Sequence, residues 1–140
     1  MSGVCAPVFY GALDDRVCLI KLIPGMTARS LLRCAEGCRA VIIESFGCGG
    51  IPHGGGFADG IAALVQSGVH VIVTTQVPHE GSDLSVYRVG MHIRREGVLE
   101  AYDMTLEAVF AKVMWALAVA DGEYTAFRRI FETPVCKDRV

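Results

Sequence analysis

No apolar run in this sequence reaches the roughly 18 residues needed to span a bilayer, because Asp, Glu, Lys, Arg or Gly interrupts each one. The first sixteen residues, MSGVCAPVFYGALDDR, lack a basic segment followed by an apolar core, so no signal peptide is predicted. Charge is scarce: 20% of residues are charged and the formal net charge is -2, with no basic stripe or tail. Nucleic acid and anionic membrane surfaces are therefore not expected as partners. These absences predict a cytoplasmic protein. Repeats, low-complexity stretches and internal linkers are also missing. Six cysteines are present, but apart from Cys34 and Cys38, four apart on a predicted helix, no pair has metal-ligand spacing. A zinc site needs a second close pair, so no metal is expected and the thiols read as reduced and mostly buried.

What remains is a chain of 140 residues with 52% hydrophobic residues and a mean hydropathy of +0.43. That length suits one domain with a real core. The high hydropathy fits a parallel sheet covered on both faces, or a large interface against another domain.

Residues 1–16 read as a lead-in broken by Pro7 and Gly11. Residues 17–140 alternate between strand and helix. Strands are predicted at Val17–Leu22, Ala40–Phe46 and His70–Gln76, with a short extended piece at Val98–Tyr102. Helices are predicted from a Thr27 cap to about Glu36, over Phe57–Ser67, over Val86–Glu96, from a Thr105 cap to Ala120, and over Glu123–Glu132. Glycines at 37, 68, 97 and 122 supply stop signals. The order predicts an α/β fold: a single Rossmann-like three-layer domain of about four parallel strands with helices on both faces.

In such a sheet, ligands meet the loops beyond the carboxyl ends of the strands. Two loops there stand out. Gly47–Gly56 is glycine-dense beyond what an ordinary connection needs. It is neither a dinucleotide fingerprint, since Pro52 stands where the third glycine belongs, nor a Walker loop, since no Gly-Lys-Ser/Thr occurs. Val77–Ser85 carries the densest polar cluster, His79-Glu80-Gly81-Ser82-Asp83. The two loops should be neighbours because their strands are sequential. His79 with Glu80 suits a base with an orienting carboxylate, or a solvated turn. Cys48 suits a nucleophile if His53 or His79 activates it. His70 and His92 read as packed or exposed rings, and Met114 and Trp115 as core or interface. Composition and pattern alone give an α/β domain with one decorated edge.

The motif order is more specific. Ile43-Glu44-Ser45-Phe46-Gly47-Cys48-Gly49-Gly50-Ile51-Pro52, then Thr74-Thr75-Gln76, Tyr87-x-Val89-Gly90, and Tyr102-Asp103-Met104-Thr105-Leu106-Glu107-Ala108 followed by Lys112-Val113-Met114-Trp115 stand in sequence. Together they resemble the C-terminal domain of cytosolic (type I) bacterial L-asparaginases, over about residues 17–120. The resemblance implies part of an enzyme that hydrolyses L-asparagine to L-aspartate and ammonia through a nucleophilic threonine. It places both catalytic threonines, the first in a Thr-Gly-Gly-Thr-Ile turn, on an N-terminal domain. No Thr-Gly-Gly occurs here, so no catalytic residue is expected on this chain, and the chain alone should be inactive.

By the same resemblance Cys48, Gly49 and Gly50 line the substrate pocket from one side, and Ser82 and Asp83 from the other. No cofactor is implied. The implied partners are an asparaginase N-terminal domain, from its own or a neighbouring protomer, a small amino-acid substrate, and further copies in a homodimer or homotetramer. Three departures matter. Many members have an Asn near positions 48–50, so its absence here shifts the expectation to backbone contact. Glu44 and Val77 replace the Arg and Cys of members regulated by asparagine, so that regulation is not expected. Leu106 replaces a Pro, which the first helical turn tolerates. The D subunit of the related glutamyl-tRNA amidotransferase, and a stand-alone binding or assembly module, are the alternatives.

Overall fold

The computed structural model describes residues 6–139. The first five residues of the expected lead-in, and Val140, lie outside the described residues. Four strands, β1 (Val17–Lys21), β2 (Ala40–Ser45), β3 (His70–Thr75) and β4 (Leu99–Glu100), form one parallel sheet in the order β1-β2-β3-β4. The helices are α1 (Ala28–Cys34), α2 (Phe57–Gln66), α3 (Arg88–Arg95), α4 (Leu106–Ala120) and α5 (Tyr124–Glu132). The α/β fold with four parallel strands and helices on both faces is as expected.

Alternation along the strands builds two cores. Val41, Ile43, Val71 and Val73 turn to one face and pack with Leu31 of α1, Phe57 and Ile61 of α2, and Ile93 of α3. Ala40, Ile42, Ile72 and Leu99 turn to the other and pack with Val109, Val113 and Leu117 of α4 and Phe127 and Phe131 of α5. Because β2 and β3 are apolar on both sides, they read as continuous hydrophobic runs. Register is in step: Ala40 pairs with His70 and Ser45 with Thr75, so the two strands end level. Their following loops therefore start side by side.

The boundaries follow local chemistry. Thr27 and Thr105 cap α1 and α4, accepting from the Ser30 and Ala108 amides. Glu123 caps α5 with both carboxylate oxygens, on the Thr125 and Ala126 amides. Three expectations need correction. α1 stops at Cys34, so Cys38 lies beyond the helix, past Gly37 at φ 77°. α3 begins at Arg88 rather than Val86, because Asp83 draws the Ser85 amide into a turn ahead of it. None of the five described cysteines is fully buried. Cys34 and Cys136 are exposed, and Cys18, Cys38 and Cys48 are intermediate.

Residues 6–16 carry no helix or strand and run against α4. The Asp14 amide donates to Met114 O at 3.0 Å, and Tyr10 meets the half-buried Trp115 edge-on with ring centroids 5.1 Å apart. No helix among the described residues is long and apolar enough to cross a membrane.

Candidate functional site

The glycine loop leaves β2 through a tight turn. Phe46 and Gly50 exchange backbone hydrogen bonds, 2.8 Å from Phe46 N to Gly50 O and 2.7 Å from Gly50 N to Phe46 O. Cys48 and Gly49 form its tip. Gly49 has φ 146°, and a Cβ placed there would stand 3.0 Å from Asp83 O. Both the conformation and the close approach require glycine at this position.

The loop after β3 is fastened to the same edge. Gln76 reaches across β2, and its Nε2 donates to Leu22 O at 2.8 Å and Glu44 O at 3.0 Å. The Ser45 hydroxyl donates to Thr74 O at 2.7 Å, and the Thr75 hydroxyl donates to Gly47 O. Thr74-Thr75-Gln76 is thus a clasp that locks the carboxyl ends of β1, β2 and β3 together. The sequence marks this tripeptide as a motif but does not disclose its role. Polar side chains closing an apolar strand were the available signal.

The two loops meet, as their sequential strands predict. The Asp83 amide donates to Cys48 O, and the Cys48 thiol donates to Glu80 Oε2 at 3.4 Å. That hydrogen bond, with a smaller contribution from burial, raises the thiol above its usual pKa. A carboxylate neighbour opposes thiolate formation. Glu80, which the sequence offered as an orienting carboxylate for His79, is committed to the thiol instead. The Cys48 thiol thus meets a carboxylate where a Cys/His hydrolase needs an imidazole.

The five expected pocket residues differ in what they present. Gly50 lines a cleft of about 300 Å³ with Phe46, Ile51, Pro52, His53 and Tyr87. Cys48 and Gly49 sit at the junction with the second loop. Asp83 is exposed there, and its Oδ1 accepts from the Ser85 amide at 2.9 Å and from the Ser85 hydroxyl. Those bonds hold its carboxyl below the usual range, so it is ionised at neutral pH. Ser82 is buried, with its amide donating to Tyr102 O at 2.8 Å. Its hydroxyl lies 3.4 Å from Tyr102 O and 3.5 Å from Val73 O. Ser82 therefore anchors the loop to the sheet. On the far side of Glu80 a larger cleft of about 580 Å³ opens, lined by Glu44, Gln76, His79, Glu80, Tyr102, Thr105 and Glu107. Among the described residues, no group of three or more His, Cys, Asp or Glu is arranged to hold a metal ion. The site can offer backbone groups, the ionised Asp83 carboxylate and the Cys48 thiol held against Glu80.

The family described as the glutaminase/asparaginase C-terminal domain matches residues 16–131. An L-asparaginase of Thermococcus kodakarensis is 37% identical over 111 residues, covering 79% of this chain and 34% of the relative. The D subunit of a glutamyl-tRNA(Gln) amidotransferase of Pyrobaculum aerophilum is 35% identical over 128 residues, covering 91% of this chain and 30% of the relative. The solved thermostable L-asparaginase of Thermococcus kodakarensis superposes with a TM-score of 0.91 at 32% identity, over 99% of this chain and 42% of that one. L-asparaginase I of Vibrio cholerae shares the fold, with a TM-score of 0.80 at 23% identity, over 89% of this chain and 38% of that one. The chain spans about a third of the length of these curated relatives. On sequence and on fold, the chain belongs to the glutaminase/asparaginase C-terminal domain family.

Proposed function

We propose that this chain acts as the C-terminal part of a cytoplasmic, type I L-asparaginase, which hydrolyses L-asparagine to L-aspartate and ammonia. The observation that carries the reading is the loop junction itself. Two loops from adjacent strand ends are locked together at Cys48–Gly49 and Asp83, at the sheet edge where open α/β folds bind ligands. Cys48, Gly49 and Gly50 offer backbone groups there. Asp83 offers an exposed, ionised carboxylate suited to the α-ammonium of an amino acid. Ser82 holds the loop in place. The nucleophilic threonines come from an N-terminal domain, which positions the amide against them while these loops close the pocket.

An apolar surface supports a covering domain or a second protomer. Leu13 and Leu19, 63% and 40% exposed, join Leu106, Phe110, Ala111 and Met114 around a hollow of about 460 Å³. An exposed apolar patch of this kind marks a contact surface. The contact fits an N-terminal domain, and a homodimer or homotetramer supplies neighbouring protomers.

The test is ammonia release. The 140-residue chain alone should release none from asparagine or glutamine, and addition of a matching N-terminal domain should restore turnover. In that mixture Asp83→Asn should raise KM for asparagine about tenfold or more while kcat changes less, as expected for loss of one charge-assisted hydrogen bond. Turnover by the chain alone would overturn the division of labour. An inactive mixture with a folded oligomer would favour a stand-alone binding module. A role as the D subunit of a glutamyl-tRNA amidotransferase is the second reading, favoured by the 91% coverage of this chain in that relative. It predicts glutamine hydrolysis stimulated by glutamyl-tRNA. Against it, the groove between α3 and α5 mixes Arg94, Arg95 and Arg128 with Glu96, Glu100 and Glu132, which makes no basic surface.

A further inference from the structure

Glu100 is an unusual residue for its place. It ends a two-residue strand at the edge of the sheet, is only 5% exposed, and turns to the face opposite Leu99. A buried carboxylate costs stability unless it is fully paired. Here only one oxygen has a partner: Oε1 accepts the Leu84 amide at 2.7 Å, while Oε2 is buried without one. Burial accordingly pushes its carboxyl above the usual pKa, against the opposing pull of the Leu84 amide and Arg94. An apolar side chain would sit there at lower cost but could not hold the Leu84 amide.

Leu84 is gripped from two further sides. From α3, Gly90 lies so close that an added Cβ would stand 2.4 Å from Leu84 O. From the glycine loop, Gly49 comes within 3.3 Å of the Leu84 side chain, measured from an added Cβ. The residue before it, Asp83, donates its amide to Cys48 O. The edge strand, α3 and both loops therefore converge on one backbone unit.

We infer that Glu100 is a positioning residue: by holding the Leu84 amide it sets the Asp83–Leu84 segment against the Cys48–Gly49 turn, and so fixes the geometry of the loop junction. What the junction does rests on the functional reading above; the clamp itself does not. Glu100 touches no reacting atom and acts through Leu84 and Asp83. Gly90 supplies the opposing surface.

The clamp can be read on the 140-residue chain through the Cys48 thiol, whose pKa is raised first by its hydrogen bond to Glu80, then by burial at the junction, with the Asp83 charge adding least. Alkylation by iodoacetamide would be followed against pH, with peptide mass spectrometry resolving Cys48 from the exposed Cys34. Glu100→Gln keeps an acceptor for Leu84 and should leave the Cys48 profile unchanged. Glu100→Met removes the acceptor at similar size. It should let the junction open and make Cys48 react about threefold faster or more near pH 8, with Cys34 unaffected. A folded Glu100→Met chain with the parental Cys48 profile would overturn the inference. Should that variant not fold, hydrogen exchange in the parent chain decides: the Leu84 and Asp83 amides should be protected and exchange together, and an unprotected Leu84 amide would sink the clamp. Neither readout involves turnover. Failure of the chain mixed with a matching N-terminal domain to hydrolyse asparagine would strike the functional reading and leave the clamp standing.

Discussion

Replacing Phe127 by alanine is expected to destabilise the domain by about 3–5 kcal/mol, the range for truncating a fully buried aromatic. Phe127 is 0% exposed. Its ring stacks on His70 with centroids 4.0 Å apart and lies parallel to Phe131 at 6.2 Å. It is thus the piece of α5 that closes the second core over the start of β3. Removing the ring leaves a cavity walled by β3, α4 and α5, which meet in a rigid sandwich that cannot easily collapse. In a domain of this size the loss corresponds to roughly a 10 °C fall in Tm or more, measurable by thermal unfolding followed by circular dichroism. Phe127→Leu, which refills part of the space, should recover at least half of the loss. An alanine variant within about 1 kcal/mol of the parent, close to the scatter of surface substitutions, would show that α5 is not integral to the core.

The role of α5 was only partly legible in the sequence. Its helical pattern and the Asp121-Gly122 stop ahead of it are local signals, and they are enough to place the element. That Phe127 would land on the His70 imidazole, far earlier in the chain, depends on the β3 register, which no local pattern encodes. The same division runs through the whole molecule. Strand–helix alternation, the threonine caps at 27 and 105 and the glycine stops are local chemistry, and they predicted the order of the strands and helices. The β2 and β3 runs were legible because both faces of a central strand must be apolar. Boundaries were missed where a side chain outside the element decided them, as with Asp83 ahead of α3.

For the candidate site, the two loops and their adjacency could be read because sequential parallel strands place their carboxyl ends together. What each residue does there could not. Ser82 and Asp83 are neighbours in a polar run, yet Ser82 is buried against the β3 and Tyr102 carbonyls while Asp83 faces solvent. Glu100 looks in sequence like any charged residue at a strand end, because its partner is the Leu84 backbone amide, well before it in the chain. Gly90 stands in a sequence motif, but its packing against Leu84 O depends on how α3 crosses the polar loop. The cysteines were expected inside on residue type alone. Cys34 is exposed because it sits in the last turn of a short helix whose buried residue is Leu31.

Acid should destabilise this domain through His70, in a window above that of the carboxylates held below their usual range. The ring is 4% exposed, sandwiched by Phe127 and Tyr124, and its Nδ1 is buried without a partner. Burial, reinforced by the Arg39 charge, lowers its pKa from 6.5 to about 4. The folded state therefore holds the ring neutral, while the unfolded chain takes up a proton below about pH 6.5. Stability from this group is fully present above that value and is lost as pH falls toward 4. Between about pH 7 and pH 4.5 the expected loss is about 2–3 kcal/mol. The carboxylates of Asp14, Asp83, Glu123 and Asp138 are all held below their usual range, so their losses fall mostly at lower pH. Glu100, shifted upward, works in the opposite direction, gaining stability on acidification. Urea denaturation at about pH 7 and pH 4.5 should show the drop in the parent chain. His70→Phe, which keeps the ring stack and removes the titrating nitrogens, should remove most of it. A variant that loses as much stability as the parent over that window would assign the acid sensitivity elsewhere. The Phe127→Ala cavity supplies a second check, because it lets water reach the imidazole and should raise the His70 pKa toward 6.5, as read by the proton chemical shift of the ring.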